Sequence, residues 1–271
     1  MSRIKGTFAA LAGRRAALIP FITGGDPTPS ATVPLMHALV RAGADIIEIG
    51  MPFSDPMADG PAIQMAHQRA LAAGTTTRMI IDLVAAFRRD DAHTPVVLMG
   101  YVNPVETMGY GVFAMACAKA GVDGVLLVDM PPEEAAEWRA QAQRAGVDTI
   151  FLLSPTTSME RLAVIAAAST GFLYYVALKG VTGASHLNIA EVAQRLAAMR
   201  RHVALPVGVG FGIRDAVSAA EVGRFADAVI VGSAIVEKIA AGGSVETMIA
   251  GVEAFVRDVR AALTRDGDLP R

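Results

Sequence analysis

Cysteine is nearly absent from this chain: Cys117 is the only one among 271 residues. A single thiol cannot close an intramolecular disulfide, which excludes a disulfide-stapled secreted scaffold and makes a reducing, cytoplasmic compartment the expected setting. Charge of one sign is lacking too. Twenty-four Lys and Arg against 26 Asp and Glu leave a formal net charge of −2, so there is no basic footprint for nucleic acid or an anionic membrane surface. A small molecule or another protein is the expected partner. Long apolar runs are missing although the hydrophobic share is 53% and mean hydropathy is +0.43; none approaches the ~20 residues that cross a bilayer. Arg14-Arg15 before Ala-Ala-Leu-Ile-Pro-Phe-Ile only superficially resembles a twin-arginine export signal. That run is short, contains Pro20 and leads into Thr23-Gly-Gly-Asp-Pro27 rather than a small-residue cleavage site, so it is better taken as a first β-strand. The five histidines, His37, His67, His93, His186 and His202, lack pairwise ligand spacing, and no metal site is expected. No Gly/Ser-rich linker or low-complexity stretch divides the chain, so residues 1–271 are expected to form one domain.

What is present is an alternation. Short apolar or β-branched runs begin near Leu18, Asp45, Pro95, Gly124, Asp148, Gly171, Leu205 and Asp227, and each leads through Gly, Pro or Asp into an Ala-rich segment with helical periodicity. Helices are expected over Pro132–Ala145, Ser158–Ser169, Ile189–Met199 and Val245–Leu263. Eight such units without a linker predict an α/β fold: a closed (β/α)8 TIM barrel rather than a doubly wound sheet. Ser2–Leu11 is expected as an extra helix capping the bottom, and extended loops are expected after strands 2 and 6. Cys117 in Phe113-Ala-Met-Ala-Cys-Ala and Trp138 after Pro132 fit buried packing roles.

Strand alternation puts Ile46 and Glu48 on one face of Asp45-Ile-Ile-Glu-Ile and Ile47 and Ile49 on the other. Glu48 would sit among isoleucines near the strand's C-terminal end, the face where barrels place their chemistry. Desolvation there raises a carboxyl pKa, as suits a group that both donates and accepts a proton; an ion pair in the barrel mouth is the plainer alternative. Asp59 lies on the loop leaving that strand, Met51 to Pro61, with three prolines and one glycine. By itself it fits a turn or helix cap before Gly60-Pro61, but the loop can fold it over Glu48. Asp129 is expected to end an inward series Val125, Leu127, Asp129 and to position a loop. Of Tyr174 and Tyr175, only one can face inward.

Three glycine-rich turns follow the late strands: Gly180-Val-Thr-Gly183, Gly208-Val-Gly210-Phe211-Gly212, and Gly232-Ser233 opening a helix. Glycines let backbone N–H groups approach a phosphate, and a helix N-terminus aims positive charge at it. The loops after strands 7 and 8 are the usual phosphate site of a TIM barrel. The spacing is not that of a dinucleotide fingerprint.

With these pieces in hand, the sequence closely resembles the tryptophan synthase α-subunit family over nearly its whole length. The resemblance rests on Pro20-Phe-Ile-Thr-Gly-Gly-Asp-Pro27, Ile47-Glu-Ile-Gly-Met-Pro-Phe-Ser-Asp-Pro-Met-Ala-Asp-Gly-Pro61, Tyr174-Tyr-Val, Gly180-Val-Thr-Gly183, Gly208 to Ile213 and Gly232-Ser-Ala-Ile235. It implies retro-aldol cleavage of indole-3-glycerol phosphate to indole and glyceraldehyde 3-phosphate. The substrate would supply its own electron sink, so no cofactor is implied. Glu48 would carry the proton and Asp59 would hold the indole N–H. Phe21, Met99 and Tyr101 would line the indole pocket, Tyr174 would flank it, and Thr182 would order Asp59. Gly183, Gly212, Gly232 and Ser233, with the Gly210-Phe211 turn, would hold the phosphate. A tryptophan synthase β subunit, in an α2β2 assembly, would receive indole and meet Pro52, Asp55, Asn103, Pro104 and Pro131. The chain departs from the family pattern at Ala177, where many relatives carry serine, and Lys179 and Glu106 fall at positions that vary. Three rival readings are a Schiff-base aldolase using Lys179, which follows the sixth strand, another phosphosugar barrel that shares the phosphate cradle but not the Glu48-to-Asp59 pair, and a catalytically silent partner of a β subunit.

Overall fold

The computed structural model describes residues 2–177, 189–210 and 212–263. Eight parallel strands pair in sequence order and close, the last against the first. They are β1 (Ala17–Thr23), β2 (Ile47–Gly50), β3 (Val96–Gly100), β4 (Gly124–Leu127), β5 (Asp148–Leu153), β6 (Leu173–Val176), β7 (Val207–Gly210) and β8 (Ala228–Val231). Helix α1 (Arg3–Leu11) precedes the barrel and α2 (Pro29–Arg41) follows β1. Two helices follow β2, α3 (Pro61–Ala72) and α4 (Thr77–Phe87), and two follow β3, α5 (Val102–Met108) and α6 (Tyr110–Ala120). Then come α7 (Ala136–Ala145), α8 (Met159–Ala168), α9 (Ile189–Met199) and α10 (Ala216–Gly223), one after each of β4 to β7. Helices α11 (Ser233–Ala240) and α12 (Val245–Ala262) follow β8. The expected (β/α)8 barrel, the N-terminal helix and the long loop after β2 are all present. Most of the connection after β6 lies outside the described residues.

Two apolar layers divide the strand residues. Ala17, Ile19, Phe21, Ile46, Val97, Met99, Leu126, Ile150, Phe172, Tyr174, Ala228 and Ile230 fill the barrel. Their neighbours, among them Leu18, Ile47, Ile49, Leu98, Val125, Leu127 and Tyr175, pack under the helices. Period-two alternation in strands covered on both faces explains why every run reads as continuously apolar. Helix α1 closes the bottom: Ile4 and Phe8 join the inner layer, with the Phe8 ring 5.7 Å from that of Phe172.

Strand β4 runs in the opposite phase to the one expected. Gly124 faces inward, where an added Cβ would lie 3.0 Å from Ile4 Cδ1 and 3.1 Å from Ile150 Cδ1. Alternation from Gly124 brings Leu126 inside and turns Val125 and Leu127 out against the helices. Asp129 therefore does not extend an inward series. Its Oδ1 accepts the Val102 N–H at 2.8 Å and so fixes the start of α5, a loop-positioning role. Helix α7 begins at Ala136 rather than Pro132, after a turn in which Pro131 and Pro132 carbonyls accept from Glu134 and Ala135. Trp138 is buried against Phe113, ring centroids 5.7 Å apart, and burial pushes the Cys117 thiol up to about 12. Among the described residues no single helix is long and apolar enough to cross a membrane.

Candidate active site

Strand β2 places Glu48 inward, in register between Phe21 of β1 and Val97 of β3, with 1% of its surface exposed. Neither carboxylate oxygen has a hydrogen-bond partner among the described residues, so the ion-pair alternative does not hold. Burial, and secondly the charge of Asp59, push its pKa up to about 8. A carboxylate stripped of water and left unpaired is far more costly than a neutral acid in the same place. Glu48 therefore holds its proton at neutral pH. One step further along the inward face, Gly50 leaves room for the Phe21 ring, whose Cζ would be 2.7 Å from an added Cβ.

Residues 51–60 then fold back over the mouth. Asp59 does not cap α3: the cap is Gly60 without a side-chain bond, and Pro61 at the first turn needs no donor partner. Instead the Asp59 Oδ2 accepts from the Tyr101 hydroxyl at 2.8 Å, and the same hydroxyl accepts the Ala58 N–H at 3.0 Å. The Phe53 ring stacks on Tyr101 at 5.2 Å. Gln64 Nε2 donates to the Asp59 carbonyl at 2.8 Å. The Asp59 Oδ1 is buried with no partner among the described residues. Burial raises the Asp59 pKa to about 6, held back by the Tyr101 bond. The two acids thus differ in charge near pH 7, Asp59 ionised and Glu48 protonated.

The expected pocket residues Phe21, Met99, Tyr101 and Tyr174 are all buried, and Phe21, Met99 and Tyr174 share the inner layer. Tyr101 does more than line a wall, because it anchors Asp59. Tyr174, not Tyr175, faces inward, and burial together with Glu48 and Asp59 raises its hydroxyl pKa. Gly210 is a glycine because of Tyr174, whose hydroxyl would be 2.3 Å from an added Cβ. Of the expected anion turns, those after β7 and β8 are described except for Phe211. Gly212 adopts φ +84°, a conformation few other residues tolerate. Gly232 caps α11, Ser233 opens it exposed to solvent, and an added Cβ on Gly232 would sit 3.5 Å from the Phe21 ring and 3.8 Å from Ile63. The turn after β8 and the aromatic wall therefore meet at Phe21. Thr182, Gly183, Phe211 and the rival nucleophile Lys179 lie outside the described residues.

Two residues of α3 carried no expectation from the sequence: Gln64, and His67, which is 3% exposed. Nδ1 of His67 accepts the Phe53 N–H at 2.9 Å and its Nε2 lies 3.6 Å from Asp59 Oδ2. Helical spacing carried the available signal, since His67 shares the buried face of α3 with Ile63, Ala66 and Ala70. A histidine on that face, eight residues after Asp59, is aimed back at the loop.

Comparison with known proteins agrees with this geometry. A sequence model described as tryptophan synthase alpha chain matches residues 8–264. A tryptophan synthase alpha chain of Dechloromonas aromatica (strain RCB) is 59% identical over 261 residues, 96% of this chain and 97% of that one. A solved structure of tryptophan synthase subunit alpha from Legionella pneumophila str. Paris is 43% identical, superposes with a TM-score of 0.89, and covers 97% of this chain and 98% of that chain. A Mycobacterium tuberculosis tryptophan synthase structure, 37% identical, gives a TM-score of 0.88 over 97% of this chain and 99% of its own. By sequence across nearly all its length and by the fold that carries the two acids, this chain belongs to the tryptophan synthase alpha chain family.

Proposed function

We propose that this chain cleaves indole-3-glycerol phosphate to indole and glyceraldehyde 3-phosphate, with Glu48 carrying the proton and Asp59 holding the indole nitrogen. The observation that carries this is a pair of buried acids at one barrel mouth, one protonated and one ionised, each with an oxygen that no donor among the described residues occupies.

The electrons follow from those charge states. Neutral Glu48 gives its proton to indole C3, which breaks the ring's aromaticity and leaves a cationic C=N at the nitrogen. The free Oδ1 of ionised Asp59 accepts the indole N–H and offsets that charge. Glu48, now a carboxylate, takes the proton of the glycerol hydroxyl beside C3. The C–C bond breaks, its electron pair returns to the ring, the hydroxyl carbon becomes the aldehyde, and Glu48 ends protonated as it began. Phe21, Met99 and Tyr174 would enclose the indole. Backbone groups of Gly183, Gly210, Phe211, Gly212, Gly232 and Ser233 would hold the phosphate, helped by the N-terminus of α11, and Thr182 would order Asp59.

For a partner we infer the tryptophan synthase β subunit in an α2β2 assembly, in the cytoplasm. The top face offers suitable ground: Asp55 and Met57 are exposed on the loop after β2, Met57 to 84%, and Asn103 on the first turn of α5, while Pro52 is buried. The test is indole release by the purified chain with and without a β subunit. Glu48→Gln and Asp59→Asn are each expected to lose at least about 100-fold in kcat with substrate binding retained. Substantial activity in either variant rejects the role given to that residue, and no release under any condition rejects the lyase.

A further inference from the structure

We propose that His67 is a positioning residue for this cleavage: its imidazole, held by the Phe53 backbone, sets a dipole against one oxygen of the Asp59 carboxylate and so helps present the other Asp59 oxygen to the substrate. This role depends on the one assigned to Asp59 above.

The Phe53 N–H points at Nδ1 at 2.9 Å, so Nδ1 holds a lone pair and the ring proton sits on Nε2. That N–H lies 3.6 Å from Asp59 Oδ2, the same oxygen that takes the Tyr101 hydroxyl. Tyr101 bonds Oδ2 and the Nε2–H dipole faces the same oxygen from beyond hydrogen-bond distance, which orients the carboxylate and leaves Oδ1 buried without a partner among the described residues. A loop residue with one oxygen held and one free is presented to a ligand; one held by both oxygens would be consumed by the protein.

Burial keeps the ring neutral, its pKa lowered to about 4, so it remains a single-proton donor across the working range. Few other charges reach it. Arg69, two residues on, is committed to Asp26 through two bonds of 2.7 and 2.8 Å. Tyr101, which follows β3, faces the same carboxylate, and Glu48 from β2 is neutral while Asp59 is charged. Helix α11, packed on α3, offers only the exposed Glu237 and Lys238, the latter lying over the Phe255 ring. Replacing His67 by an uncharged residue therefore removes a dipole that faces Asp59 and introduces no charge.

Three variants separate the Phe53 bond from the Asp59 contact. In His67→Leu both are gone; kcat is expected to fall by about 10-fold or more with KM changed much less, and the acid limb of kcat/KM to move to higher pH as Asp59 loses the facing dipole. His67→Gln places an amide N–H near the Nε2 position and is expected to restore most of the rate. His67→Asn can accept from Phe53 yet stops short of Asp59, so it should recover thermal stability without recovering kcat. Asp59→Asn is measured alongside. An unshifted acid limb and unchanged kcat in His67→Leu, or full kcat in His67→Asn, overturns the proposal while an inactive Asp59→Asn leaves the Asp59 assignment standing. An active Asp59→Asn overturns that assignment and this inference with it. If His67→Leu fails to fold, the contrast in kcat between Gln and Asn decides between the same outcomes.

Discussion

At the scale of single residues, the site gives two identical functional groups different charges, one neutral and one negative. Burial lifts the pKa of Glu48 to about 8, while the Tyr101 hydroxyl holds Asp59 back at about 6. The product of correct protonation states is then largest between those values, so kcat/KM is expected to be bell-shaped, falling below pH ~6 and above pH ~8. A flat profile from pH 5 to 9 would contradict both assignments. The same shift governs stability. An acid whose folded pKa exceeds its ordinary value of 4.5 keeps a proton that the unfolded chain releases. Its stability cost therefore grows as pH rises from ~4.5 and is complete above ~8, reaching on the order of 3 kcal/mol near neutrality. Gln has no such proton to lose. Glu48→Gln, expected to be crippled in the indole assay, is also expected to raise Tm by at least about 2 °C at pH 8 and by less at pH 5, read by calorimetry. A gain as large at pH 5 would show that the carboxyl's titration is not its source. Activity and stability pull apart at this one side chain.

At the scale of elements, small residues decide where large ones can stand. Gly210 ends β7 beneath the Tyr174 hydroxyl, with no room for a methyl group between them. Gly210→Ala is expected to push Tyr174 into the substrate cavity, raising KM by about 10-fold and lowering stability by about 1–3 kcal/mol. Tyr174→Leu in that background removes the oxygen and also the ring carbons Cε1 and Cζ, which would lie 2.6 Å from the added Cβ, and the two changes together should cost at least about 1 kcal/mol less than their sum; simple additivity in a double-mutant cycle would refute the contact. These dependencies also set what could be seen in the sequence. The eight strands were legible because both their faces are buried and read as unbroken apolar runs. The inward phase of Glu48 was legible because isoleucines bracket it. The phase of β4 was not, since Gly124 carries no side chain to mark its face and its inner neighbour Ile4 comes from the distant α1. Helix α5, seven residues with Pro104 inside, is too short to show a period. Asp59 looked like a cap because Gly60-Pro61 is a good helix start whichever way the preceding carboxylate points. His67 is one histidine among five until α3 and the loop are set against each other.

At the scale of the whole molecule, the barrel separates what holds it together from what it does. The top carries the unpaired acids. The bottom carries bonded ones, Asp148 Oδ2 excepted: Asp123 takes Arg3 at 2.8 Å, Arg88 at 2.7 Å and the Val96 N–H at 2.8 Å, and Asp45 takes Arg15 through both oxygens and the Leu18 N–H. Between them α1 drives Ile4 into the barrel floor, where it is fully buried against the space that Gly124 leaves. Ile4→Ala opens a cavity there and is expected to cost about 2–5 kcal/mol, because strands paired on both sides cannot collapse into it. Glu48 lies at the opposite end of the inner layer, its surroundings set by Phe21, Val97 and the loop from β2 rather than by α1. The variant should then show a Tm lower by about 4 °C or more, while kcat at a temperature where it is fully folded stays within about twofold of the parent. Calorimetry and the indole assay on one preparation read both. Loss of kcat in fully folded Ile4→Ala would mean that the stacked side chains from Ile4 upward transmit the cavity to the acid pair, and the barrel's two ends would have to be treated as one cooperative core.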